Sequence, residues 1–253
     1  MLRIFLAAIV LVCVSVIAST AFTADAASEA KVSSYASAKD LSAQLTFYLD
    51  RLNTDLEDAD AYEDEQKGRV AKDANTVAVL GAALGMHDEQ HDLKAGAPAL
   101  VVAAKELAKN AGDHAKASEA LKKAQAALKV TSGGGKIGWD NVADLGQLMK
   151  QVPIVNNTLR QGVTGNRFEK QKEKTAAIAA TLAALAEASA HDDSYCVEDG
   201  DAEKWMKICR EMRDSSAAVS KFVRAGDQAS ATKELDRLVK TCDDCHHKFR
   251  DKK

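Results

Sequence analysis

Aromatic residues make up only 5% of the 253-residue chain, and it contains just two prolines. A β-sandwich or barrel needs aromatic and β-branched strands punctuated by turn residues, so this text argues against both. With 46% hydrophobic residues, the chain is also too apolar to be disordered. Charge of one sign is lacking as well: 34 basic residues stand against 37 acidic ones, for a formal charge of −3. That leaves no basic excess for gripping nucleic acid and no acidic solvating tail. Long apolar runs are absent beyond the first two dozen residues, so no later segment is expected to span a membrane. The length suits one large domain or two ordinary ones.

The N-terminal run reads as an export signal. Arg3 supplies a short positive region, Ile4 to Ala18 is apolar, and Ala24-Asp25-Ala26 offers the small-x-small pattern of a signal-peptidase site. Residues 1–26 are therefore expected to be removed, leaving a periplasmic protein with no membrane attachment. An uncleaved anchor over Ile4–Phe22 is the alternative. Cys13 lies inside the apolar run and fits neither a lipoprotein site nor a catalytic thiol. Four cysteines remain after cleavage: Cys196, Cys209, Cys242 and Cys245.

The remaining chain is written twice. Asp40-Leu41, Asn53-Thr54 and His87-Asp88 recur 104 residues later as Asp144-Leu145, Asn157-Thr158 and His191-Asp192. The run Asn110–Leu121 (NAGDHAKASEAL) recurs 114 residues later as Arg224–Leu235 (RAGDQASATKEL). The second copy thus carries ten additional residues between His191 and Arg224. Each copy has the 3.6-residue apolar period of four helices. In the first copy these are Ser37–Glu57, Glu65–Gly85, Ala97–Ala111 and Asp113–Lys129. In the second, an apolar stripe from Val142 through Leu159 follows an N-cap at Asp140; then come Phe168–Ala190, Ala202–Arg224 and, past the Ala225-Gly226 break, Asp227–Arg250. The fold expected is all-α: a signal peptide (1–26), an up-and-down four-helix bundle (37–130), a Gly-rich linker (131–137) and a second such bundle (138–253).

Chemistry concentrates in Cys242-Asp-Asp-Cys245-His246, the CxxCH pattern of c-type haem attachment. Two thiols three residues apart reach the two vinyl groups of one porphyrin, and the next residue delivers an imidazole to the iron. On a helix the three side chains share a face. A redox disulfide is the first alternative, although such CxxC pairs sit at βα junctions. Half of a zinc site completed by Cys196 and Cys209 is the second, and it leaves the adjacent histidine unused.

The end of the chain, Cys242-Asp-Asp-Cys245-His246-His-Lys-Phe249-Arg250, resembles the C-terminus of class II c-type cytochromes, the cytochrome c′ and cytochrome c-556 group. The likeness covers roughly residues 138–253 and is strong at the motif but faint between. It implies one covalently attached haem c in the second bundle, thioether bonds at Cys242 and Cys245, and His246 as proximal iron ligand. Arg250 would lie near a propionate or shield the imidazole, with a solvated helix-end arginine as the plain alternative. In this family the first helix supplies the distal face. Gln147-Leu148-Met149-Lys150 is similar to the c-556 type, in which a methionine gives six-coordinate iron. Met149 as a neutral thioether ligand would favour the reduced metal. As simple core filler, it would leave Leu145 or Leu148 as the wall of a five-coordinate site open to NO or CO. Pro153 removes the N–H that would bond the Met149 carbonyl, so a bend is expected there.

The positions of the first copy that correspond to the motif are Leu128, Thr131 and Ser132, and Leu45 corresponds to Met149. The first copy is therefore expected to be haemless. His87 and His91 have the i, i+4 spacing of a metal pair but lack the glutamate of the zinc-protease motif. With His191 they read as cationic helix-end histidines, and His247 as a surface residue. Cys196 and Cys209 flank the insertion and are expected to form a disulfide worth about 3 kcal/mol. Together these readings imply a periplasmic electron carrier rather than an enzyme, with a redox protein as partner and a homodimer left open. The gas-binding haem protein and a haem-free interaction scaffold remain as alternatives.

Overall fold

The computed structural model describes residues 30–166 and 168–250, so the signal-peptide reading and Cys13 lie outside the described residues. The described residues contain eight α-helices and no strand. They are α1 (Ala38–Asp55), α2 (Asp64–Met86), α3 (Ala97–Lys109), α4 (His114–Ala127), α5 (Leu145–Thr164), α6 (Lys172–Ala190), α7 (Asp201–Ala225) and α8 (Gln228–Phe249). Among these residues no helix is long and apolar enough to cross a membrane.

Local sequence explains most of the boundaries. Ser37, Asp113, Asp144 and Asp227 each accept a hydrogen bond from a backbone N–H in the first turn of the helix that follows, satisfying one of its orphan donors. The cap of α5 is Asp144 and not the expected Asp140. Asp140 precedes a turn whose Asn141 adopts a left-handed φ of 54°, which delays the helix until Leu145. Similarly, Phe168 opens a short 3-10 turn, and α6 proper begins at Lys172. Helix α7 ends at Gly226 with φ 75°, where the Asp227 N–H bonds back to the Phe222 carbonyl. Pro153 sits inside α5 without ending it.

Within each run of four, successive helices pack together and the first meets the fourth. The runs also meet each other: α1 packs on α6, α2 on α5, and α2 on α6. Composition suits α2 and α6 to that central position. From Asp73 to Leu84 and from Thr175 to Ala190 every residue is buried, with no polar stripe left for solvent. Small residues let the neighbours approach closely: a Cβ on Gly81 would stand 3.1 Å from the Leu100 side chain, and one on Gly162 would stand 2.5 Å from Thr175 Oγ1. The leucines of the outer helices, among them Leu41, Leu52, Leu100 and Leu107, are essentially fully buried. Each contributes about 2 kcal/mol of transfer free energy.

Polar contacts join the two runs. Arg51 is bidentate on buried Asp73, and Gln151 of α5 donates to both the Tyr48 hydroxyl (3.2 Å) and Asp73 Oδ1 (3.3 Å). Burial, with the Asp73 charge beside it, pushes the Tyr48 hydroxyl up to about 12, so this oxygen stays a neutral hydrogen-bond acceptor. Elsewhere Arg224 bridges Asp40 and Glu173, and the Asp144 N–H donates to Asn75 Oδ1 at 2.7 Å.

Candidate haem cavity

Three helices and one loop build the site. Helix α5 brings Met149, Lys150 and Pro153; the connection between α6 and α7 brings Tyr195; α7 brings Trp205; and the end of α8 brings Cys245, His246, Phe249 and Arg250. These nine residues line one cavity of about 440 Å³, within the roughly 300–1,000 Å³ range of cofactor pockets. Beside it lies an apolar cluster of Leu145, Ala190, Trp205, Cys209 and Phe249, against which Met149, Tyr195, Cys196, Ile208 and Cys245 pack. The aromatic walls are ordered by mutual contact: Trp205 meets Phe249 edge-on at 5.2 Å and stacks with Tyr195 at 6.2 Å. The Trp205 indole N–H donates to the Ser189 carbonyl at 2.7 Å, which fixes the ring. The α8 end is tied down by Lys248, whose ammonium lies 2.7 Å from the buried Asp201 carboxylate at the start of α7.

Met149, Cys245, His246 and Arg250, chosen from sequence pattern, thus meet around one cavity although Met149 lies nearly a hundred residues from the others. Leu145 and Leu148 do not line it; both are buried in the packing beside it. Cys242 does not line it either. Its Sγ turns back along α8 and contacts the Leu238 carbonyl at 3.7 Å. The structure also shows wall residues that the pattern did not single out, Trp205 and Tyr195. Trp205 begins α7 beside the inserted segment, and a tryptophan there in so aromatic-poor a chain was the available signal.

The donor set suits a haem. It offers one imidazole, one neutral thioether, one thiol for covalent anchoring, an aromatic surround for a flat macrocycle, and two cations, Lys150 and Arg250, for carboxylates. Burial pushes the Cys245 thiol up to about 11, with the neighbouring Cys242 and Cys196 adding to the shift. Cys242 is raised too, first by burial and then by the Asp243 charge. Both are therefore held as neutral thiols at neutral pH.

Three expectations need correction. The disulfide between Cys196 and Cys209 is not formed, and all four thiols among the described residues are free. Cys209 is fixed in mid-helix within the apolar cluster, whereas Cys196 packs on that cluster from the loop. His87 does close the end of α2, but it is fully buried there: Nε2 donates to the Ala36 carbonyl at 3.1 Å and Nδ1 accepts the Glu89 N–H. His91 likewise faces a carbonyl, that of Leu84 at 2.7 Å, and no group of three metal-ligating side chains occurs among the described residues. His191 caps α6 at 3.6 Å from Glu187 and stacks on Trp139. His247 is exposed, as expected.

A second cavity, of about 560 Å³, lies at the matching end of the first run. It is formed by the end of α2, the α2–α3 connection, the start of α3 and the Gly-rich linker. It has no thiol or thioether, and the linker enters it: a Cβ on Gly85 would stand 2.9 Å from Ile137, and one on Gly135 would stand 3.3 Å from Pro98. No protein-family model, curated protein or solved structure matches this chain.

Proposed function

We propose that this chain is an exported, single-haem c-type cytochrome of the class II kind, moving one electron at a time through a His246/Met149-ligated iron. The observation that carries the reading is the convergence of Met149, Cys245 and His246 on one cavity from opposite ends of the second repeat. We further read the eight helices as two tandem up-and-down four-helix bundles, with the haem in the second. The internal sequence repeat and the closure of each run of four support this reading.

In this account Cys242 and Cys245 hold the cofactor through thioether bonds, the former after its side chain turns away from Leu238. His246 and Met149 would hold its iron. When bound, the haem supplies a reversible one-electron couple. The protein's own residues do the rest. Trp205, Phe249 and Tyr195 give the cavity an apolar wall, and an apolar wall around a neutral thioether favours the less charged, reduced state. The Asp201–Lys248 pair holds the last turn of α8 in place, so His246 keeps its position across the two charge states. Arg250 and Lys150 face the cavity as cations and suit carboxylate side arms.

Covalent haem survives denaturing electrophoresis. The full chain matured in an exporting host should stain for haem and gain the mass of one haem. Cys245→Ser should lose most of the stain, and Cys209→Ser should keep it. A chain of unaltered mass after maturation contradicts the proposal and favours the haem-free scaffold.

A further inference from the structure

Three thiols gather at one apolar cluster, and of these three the haem reading uses only Cys245. Cys209 is buried in the apolar cluster beside the cavity, and Cys196 and Cys245 both pack against that cluster, Cys196 from the 191–200 loop and Cys245 from α8. All are free. Their mutual influence reflects this closeness: after burial, the charges that most disfavour ionisation of Cys209 are those of Cys245 and Cys196.

The three are not equivalent. Cys209 sits in the middle of the 25-residue helix α7, 5% exposed, where neither an external disulfide nor a backbone shift can reach it. Cys242 lies on the same helix as Cys245, one turn away. Facing side chains at that spacing have Cβ atoms about 5–6 Å apart, beyond the roughly 3.5–4.5 Å of a relaxed disulfide. Cys242 is, moreover, turned toward the Leu238 carbonyl. Cys196 is half-exposed, as Cys242 and Cys245 are, but it alone is carried by a connection between helices, which ends in Gly200 at φ 76°. It is open to an oxidant, and its backbone can follow its sulfur.

We propose that Cys196 is a modification site that forms a disulfide with Cys245 in the haem-free chain, withdrawing the attachment thiol until it is reduced. The oxidant is a small-molecule or protein disulfide. The Cys196 thiolate attacks it, the donor's S–S bond breaks and one donor thiol leaves. The Cys245 thiolate then attacks the Cys196 sulfur of the mixed disulfide and releases the second donor thiol. Two electrons pass from the chain's sulfurs to the donor, and the two thiol protons end on the two donor thiols. The linkage itself is independent of the cofactor, whereas its gating role rests on the haem reading.

The test uses the full-length secreted chain produced without haem and equilibrated with oxidised glutathione under native conditions. It is then alkylated and mapped by mass after digestion without reductant. The expected product is a peptide pair joined through Cys196 and Cys245, absent in Cys196→Ser and Cys196→Ala, with far-UV circular dichroism showing both variants folded. A dominant Cys242–Cys245 or Cys196–Cys209 linkage, or four alkylated thiols, overturns the proposal. Reduced and oxidised wild-type chain are then incubated with haem, and the oxidised form should take up at least tenfold less covalent haem. Equal uptake overturns the gating role. If the reduced chain takes up none, the haem reading fails, while the peptide map still decides the linkage.

Discussion

Single residues show how this chain tolerates charge in a mostly apolar interior. Glu187 is 3% exposed on α6, and burial alone would raise its pKa. His191 and Arg213, the latter 2.7 Å away, outweigh that and hold the carboxyl below its usual range. A depressed carboxylate pKa means the pair stabilises the fold above the unfolded-state value and stops doing so as pH falls through the folded one. Glu187→Gln should therefore cost about 1–3 kcal/mol at neutral pH, because it removes the buried one of Arg213's two carboxylate partners and leaves only the exposed Asp214. The deficit should shrink when urea unfolding is repeated near pH 3, below the usual carboxylate range. A deficit independent of pH would mean that shape and not charge is what Glu187 supplies. None of this was readable from sequence, because Glu187 sits in a run of small residues with nothing to announce Arg213 twenty-six positions on. Met149 was singled out by its likeness to the c-556 pattern, three helices before CxxCH, and it lines the cavity that Cys245 and His246 line.

At the scale of elements, period and caps gave six of the eight helices to within about two residues at their starts. The misplacements have local causes. Asp140 and Asp144 are equally good caps on paper, and only the left-handed turn at Asn141 decides between them. The centrality of α2 and α6 was legible too, in their lack of any polar face, but which helices they touch is a matter of tertiary packing. Close contact makes a glycine matter at one junction in particular. A Cβ on Gly96, at the start of α3, would stand 2.0 Å from the Ala127 carbonyl oxygen at the end of α4, whereas one on Gly112 meets nothing within 4 Å. Gly96→Ala should lower stability by at least about 1–3 kcal/mol because backbone must move. Gly112→Ala should be neutral or stabilise by up to about 1 kcal/mol. Thermal unfolding of the two variants against the parent checks the contrast, and equal midpoints would contradict it.

For the whole molecule, the sequence repeat did not say how the two runs of four helices associate. The contacts are reciprocal: the first helix of one run meets the second helix of the other, in both directions. This is the pattern of a two-fold interface built within one chain. Because buried polar groups such as Asp73, Gln151 and Tyr48 cross it, separating the halves would strand them. Unfolding should accordingly be one transition, with far-UV circular dichroism and the fluorescence of Trp139 and Trp205 coincident in urea. Asp73→Ala should lower that single midpoint without splitting it. The cavities tell a parallel story, since the end of the first run that matches the candidate haem site holds linker instead of ligands. The most direct test of the account is the optical spectrum of the matured protein, oxidised and reduced, with and without Met149→Ala. The account predicts low-spin haem with a sulfur-to-iron charge-transfer band in the oxidised form, lost in the variant. A high-spin spectrum that responds to NO or CO and ignores the substitution would contradict it and make the site a gas-binding one.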